Sequence, residues 1–191
     1  MEELDIAIAE LTSGEEERAE RAAVTFARHG ERALEALRAP LASPEADTRW
    51  WAVRALAEIP GKATSRLLIK ALEDPETPVR QCAAQALRQQ PDPDAISALI
   101  EAMHSEDALL ARLAANALIA IGTSATTKLL EVLNSSPEAV RLEAARALAM
   151  IADQRAIPSL FQALDGDSAL LEYWANEGLE RMGVGMMFFK P

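Results

Sequence analysis

Few residue types able to carry chemistry occur in this chain, and none stands at a spacing that would let it act. The two histidines, His29 and His104, fall in separate stretches, each near the end of a helix-like pattern, so a shared metal is not expected. No His–Glu pair at helical spacing points to a di-iron centre or a zincin. The single cysteine, Cys82, is followed by Ala83 and Ala84 and reads as a small core residue, not a nucleophile. Cys-x-x-Cys, a glycine-rich phosphate loop and G-x-S-x-G are all absent from the sequence. Carboxylates are plentiful, but in so acidic a chain their proximity is poor support for acid–base work. Glu15, Glu16 and Glu17 read as favourable charge at a helix N-terminus. Arg49, Arg80 and Arg141 recur at one equivalent position. Such a row could bind anions, but pairing of each arginine with an acid in the adjoining turn, such as Asp47 or Glu76, is the simpler reading. The expectation is therefore no catalytic residue, no metal and no cofactor.

Bulk properties narrow the partners. With 19 Lys and Arg against 30 Asp and Glu, the formal net charge is -11 and the sequence pI is near 4.7. That speaks against nucleic acid, whose phosphates need clustered cations, and against docking on an anionic membrane. One cysteine leaves no intrachain disulfide. The acidic, amphipathic start does not resemble a signal peptide, and the apolar stretch Ala108–Ile121 is short for a bilayer and carries Arg112 and Asn116. A soluble cytoplasmic protein is expected.

The elements that would position any site are helices in a repeat. Phe26, Leu56, Leu87, Leu118, Leu148 and Leu179 are 30 or 31 residues apart. Leu11, Leu41, Leu72, Met103, Leu133 and Leu164 form a second series fifteen residues ahead of them. Two interlocked series of one period indicate a solenoid or array. Four residues before the first series come Ala22, Ala52, Ala83, Ala114, Ala144 and Ala175, and one before it Ala55, Ala86, Ala117 and Ala147. Val79, Leu110, Val140 and Leu171 lie eight before. These offsets share one helical face, and alanines on it let helix axes approach closely. In the second helix of each unit, Leu37, Leu68, Leu99, Leu129 and Leu160, with Ile69, Ile100, Leu130 and Phe161 beside them, predict a broad apolar stripe.

First helices are predicted near 15–28, 45–58, 78–89, 108–121, 138–151 and 169–182. Second helices are predicted near 31–41, 62–73, 94–104, 123–134 and 154–164, with a lone helix at 2–11 buried through Leu4, Ala7, Ile8 and Leu11. Ser13, Ser43, Thr77, Asp107, Ser136 and Ser168 are the expected N-caps, three of them followed by a proline at the first helical position. Residues 1–183 then form one domain. Residues 184–191 form an apolar tail with Met186, Met187, Phe188 and Phe189, which either covers the last helix or mediates contact with another chain, including self-association.

At Val79-Arg80, Ala83-Ala84 and Ala86-Leu87, followed by Asp94-Ala95-Ile96, Leu99-Ile100 and Met103, the chain resembles the short HEAT repeat of phycobilisome lyases and many bacterial HEAT-repeat proteins. Val140-Arg141, Ala144-Ala145, Ala147-Leu148 and Ala156-Ile157-Pro158-Ser159-Leu160 match again, over roughly residues 15–183. The resemblance implies a right-handed α-solenoid of about five helix pairs with a half-repeat at each end and second helices along a concave face. It also implies a role in protein–protein contact, with bilin attachment or detachment as the alternative. No catalytic residue carries over.

The positions two and six before the second-helix anchors point off the apolar stripe. They are Glu35 and Ala39, Arg66 and Lys70, Ser97 and Glu101, Thr127 and Glu131, then Pro158 and Gln162. They are candidate contacts for another protein or peptide, since mixed charge suits a protein surface better than a polyanion. Each is equally readable as plain solvated surface. Trp50 and Tyr173 occupy one equivalent position on first helices and are candidate aromatic anchors, or else pack on inter-helix turns; Trp51 reads as packed. Ala114→Leu should overpack its helix interface at a cost of about 1–3 kcal/mol. An unchanged thermal midpoint would count against the stacking reading.

Overall fold

A computed structural model of the chain describes residues 2–165 and 168–184. Among these, every regular element is helical, with twelve α-helices and no strand. Residues 185–191, where the apolar-tail expectation falls, lie outside the described residues. Two compact units divide the chain, Met1–Ala95 and Ile96–Pro191. In the first, α1 (Glu2–Leu11) precedes α2 (Glu16–His29), α3 (Ala33–Leu41), α4 (Ala46–Leu56), α5 (Lys62–Ala71) and α6 (Thr77–Gln89). In the second, α7 (Ile96–Met103) is followed by α8 (Ala108–Ile121), α9 (Thr126–Ser135), α10 (Glu138–Ile151), α11 (Ile157–Ala163) and α12 (Ala169–Arg181). Within the first unit α2, α4 and α6 pack in succession, and α5 lies on α4 and α6. Within the second, α8, α10 and α12 form one row and α7, α9 and α11 the other.

The burial follows the repeat. Ala22, Ala52, Ala83, Ala114, Ala144 and Ala175 have no exposed surface, and Phe26, Leu56, Leu87, Leu118, Leu148 and Leu179 are buried with them. In the second helices the centre of the stripe is the column Leu37, Leu68, Leu99, Leu129 and Leu160, each fully buried. The stripe is narrower than its composition predicts. Ile69, Ile100 and Leu130 are half-buried and Phe161 is exposed.

Four second helices are reached through a 3-10 turn: Gly30–Arg32, Pro93–Ala95, Gly122–Ala125 and Gln154–Ala156. Tight turns of this kind commonly begin a helix, and they account for the earlier starts predicted there. The segment Ala108–Ser135 has the length and mean hydropathy, 1.5, of a membrane span. Gly122, at φ 77° and ψ -143°, breaks it into α8 and α9, so neither helix alone has that length.

The capping pattern differs from expectation. Asp107 does cap α8, accepting from the Leu110 amide at 2.7 Å. Glu15, Glu45 and Glu76 hold the N-cap positions of α2, α4 and α6 without side-chain caps, and Pro137 holds that of α10. Ser168 does hold the N-cap of α12, but its side chain makes no cap bond. Ser13 and Ser43 instead accept from the amide two residues on, as do Asp74 and Ser105, at 2.9–3.2 Å. These oxygens close the turn between repeats instead of starting the helix.

Two backbone positions carry strain or crowding. Ala152 ends α10 in the left-handed region, φ 55°, where glycine ends α2 and α8. Gly178, in α12, stands where other repeats have alanine; an added Cβ would lie 3.0 Å from Ala149 Cα and 2.8 Å from Leu160 Cδ1. Ala152→Gly should therefore stabilise by about 0.5–1 kcal/mol, since left-handed backbone disfavours a Cβ. Gly178→Ala should destabilise by about 1–2 kcal/mol net, overpacking outweighing the gain in helix propensity. Denaturant midpoints of the two variants should move in opposite directions.

Candidate functional site

The polar ladder on the second helices is solvent-facing. Glu35, Arg66 and Lys70 in the first unit are exposed, as are Ser97, Glu101, Thr127, Glu131 and Gln162 in the second. Two members are paired along their own helix, Glu35 with Arg38 at 2.9 Å and Glu131 with Lys128 at 2.7 Å. Such exposed pairs hold little energy and exchange readily. Arg66, Lys70 and Glu101 make no ion pair among the described residues.

The aromatic candidates stand apart from this ladder, on the first-helix rows. Tyr173 is 56% exposed and meets Trp174 edge-on, ring centroids 5.1 Å apart. Trp50 is half-buried, between the exposed and packed placements that its sequence position allows. It packs perpendicular to Trp51 at 4.8 Å, and Trp51 is itself only half-buried. Two adjacent indoles cannot both enter the core, so they shelter each other.

In the first unit the ladder borders an open groove of ≈ 610 Å³ between the C-terminal halves of α3 and α5, with α4 beneath. Leu41, Val53 and Leu67 give it an apolar floor, and Arg38, Lys70 and Glu73 stand among its walls. Arg38 is a residue that ladder counting missed. It occupies the column filled elsewhere by Ile69, Ile100, Leu130 and Phe161, and a charge in an apolar column is the signal that could have found it.

At one end of the groove Arg49 grips Asp74 through two bonds, Nε to Oδ2 at 2.7 Å and Nη2 to Oδ1 at 2.9 Å. The same guanidinium donates to the carbonyls of Ser43 and Pro44. Arg80 repeats the arrangement one turn on, donating to the carbonyls of Asp74 and Pro75 and to Thr77 Oγ1. The row of arginines is thus structural in these two repeats, but the acid is Asp74, not Asp47 or Glu76. The Arg49 bond holds the Asp74 carboxyl below its ordinary range, against burial, which pushes the other way. Sequence spacing misses this pair because its members are 25 residues apart, on either side of a helix pair.

Two further carboxylates precede second helices. Asp92, 6% exposed, takes Lys62 Nζ at 2.5 Å. Asp153 takes Arg155, and Thr126 Oγ1 from the preceding repeat at 2.9 Å. Burial raises the Asp92 pKa, but Lys62 and the Asp94 amide outweigh it and hold the value at about 2. Asp153 is held at about 2 chiefly by the Arg155 side chain and amide. In the second unit Arg146, 8% exposed, is satisfied by Glu143 and Asn116, and Arg112 joins the same Glu143. Burial pushes the Cys82 thiol up to about 12, which leaves it protonated and unreactive near neutral pH. Among the described residues no group of His, Cys, Asp and Glu could hold a metal ion.

A family model described as HEAT repeats matches residues 33–120, 64–138 and 126–184. The chain belongs to the HEAT-repeat family, and its fold is an all-α solenoid of that class. The crystal structure of an engineered protein is 24% identical, with TM-score 0.56 over 97% of this chain and 98% of that one. The complex of CpcE and CpcF of phycocyanin lyase from Nostoc sp. PCC7120 is 26% identical, with TM-score 0.56 over 94% of this chain and 77% of that one. A designed armadillo repeat protein in complex with the peptide (KR)4 is 18% identical, with TM-score 0.52 over 94% and 99%, a likeness of fold alone. No curated protein matches the sequence.

Both turn carboxylates titrate below the ordinary 3.8 of aspartate. Because the folded value is the lower, their stabilisation is full above about pH 4 and is lost as pH falls toward 2. Asp92→Asn with Asp153→Asn should lower stability at pH 7 and flatten its decline over that interval, as read by urea unfolding at stepped pH.

Proposed function

We propose that this HEAT-repeat protein is a non-enzymatic scaffold, soluble in the cytoplasm, that holds a partner polypeptide against the exposed face of its second helices. One observation carries the reading: the ladder residues of five second helices are all exposed, while the leucine column behind them is fully buried. Each unit thereby presents exposed polar side chains of mixed charge on its second helices, which suits recognition of a protein surface. Repeat solenoids in general display such extended surfaces for protein or peptide contact.

A second reading is a bilin-handling factor, favoured by the likeness to the CpcE and CpcF complex. Mixing the protein with a bilin should leave the visible absorbance unchanged if the scaffold reading holds, and a spectral shift would favour the alternative. For the leading reading, Arg66→Glu with Lys70→Glu, and separately Glu101→Lys with Glu131→Lys, should each weaken recovery of a partner captured by the native protein. Undiminished recovery by both charge-reversed forms would remove the second-helix face from consideration.

A further inference from the structure

We infer that the groove of the first unit binds an extended segment of another protein in which an acidic side chain adjoins a bulky apolar one. The inference rests on the scaffold reading and narrows it to one place and one ligand chemistry. The apolar side chain would seat on Leu41, Val53 and Leu67, and the carboxylate would reach Arg38 and Lys70.

Three observations support this assignment. The first is shape. The groove is open and ≈ 610 Å³ in size, enough for a few side chains of an extended chain. The second is the state of its charges. Asp74, which also lines the groove, is already satisfied by Arg49 and by the Glu76 amide. Lys70 makes no ion pair among the described residues. Arg38 has only Glu35, in a pair whose side chains are 73% and 77% exposed. An incoming carboxylate therefore meets one unpaired cation and one weakly held cation beside an apolar floor, where water is partly excluded and the attraction is strengthened. A lysine-rich segment would meet repulsion in the same place.

The third is position in the repeat. The column that holds Arg38 is apolar in the other second helices. The cation occurs only where the floor of the groove opens beside it. The charge is not needed to build the repeat, since four other repeats build it without one. Glu73, also in the groove wall, is an acid without an ion pair among the described residues, and it opposes an acidic ligand.

A fluorescein-labelled nonapeptide with a central leucine, flanked on each side by two acidic residues, tests the assignment by fluorescence anisotropy with the whole protein at low salt. Saturable binding is expected, weakened about tenfold or more by Arg38→Glu with Lys70→Glu, as expected when charged pairs at a desolvated contact are reversed. Glu73→Lys should tighten it, and Glu138→Lys with Glu180→Lys, on first helices of the second unit, should leave it unchanged. All five positions are exposed at the surface, so folding is readily checked by circular dichroism. Peptides with lysines for the acids, or alanine for the leucine, should bind at least about tenfold less well. Absence of saturable binding, equal binding of the lysine peptide, or indifference to the Arg38 and Lys70 reversals overturns the assignment. So does a concentration-dependent dimer in sedimentation that the same reversals dissolve, since a second copy would then occupy the groove. The scaffold reading survives such a failure if the Glu101 and Glu131 reversals still abolish partner recovery, and falls with it if they do not.

Discussion

The close approach of neighbouring helices across alanine is the constraint on which the remaining architecture depends. Where Ala52, Ala83, Ala114, Ala144 and Ala175 lie with no exposed surface, a helix axis can come near enough for backbone and short side chains to interlock. At the last interface even alanine is too large, and Gly178 lets α12 settle on Ala149. The leucines of the second helices fill the space that this approach leaves. Neither half of a helix pair could bury its apolar side alone, so stability comes from the neighbour interfaces.

The second tier of organisation is polar and sits in the turns. A turn between repeats exposes carbonyls and amides that need partners. Arg49 and Arg80 each cover two carbonyls of the turn before their helix, and Asp74 joins them. Gln90 donates to the carbonyls of Leu56 and Ala57, closing the end of α4 from the next repeat. Thr126 reaches forward to Asp153 in the same spirit. These bonds fix how each repeat is set on the next, and because several use carboxylates held ionised, that setting is sensitive to acid.

Where the repeat is obeyed, the side chains serve packing. Where it is broken, they become available for contact. Arg38 in an apolar column opens a charged groove in the first unit. In the second unit Glu143 stands where other repeats have Trp51, Cys82, Leu113 and Trp174, but there the break is sealed internally by Arg112 and Arg146. The difference lies in burial: the Arg38–Glu35 pair stands in solvent, whereas Glu143 and Arg146 pair away from it.

How much of this was legible beforehand depends on the range of the interaction. Helix positions, the buried alanine and leucine columns and the exposure of Glu35, Arg66, Lys70, Glu101 and Glu131 follow from local periodicity, because a helix face is set by residues three and four apart. The HEAT-repeat class follows from the same columns. The N-caps were misread at Ser13 and Ser43 because a hydroxyl near a helix start can close the preceding turn as easily as it can cap, and only the turn geometry chooses. Periodicity leaves Trp50 open between an exposed anchor and a packed side chain, because shelter by Trp51 is a matter of side-chain rotamer, not of register. The Arg49–Asp74 pair and the groove beside it required the tertiary structure. Their members are far apart in the chain, and their meeting depends on how closely one repeat stacks on the next, a distance set by packing and not written in any single helix.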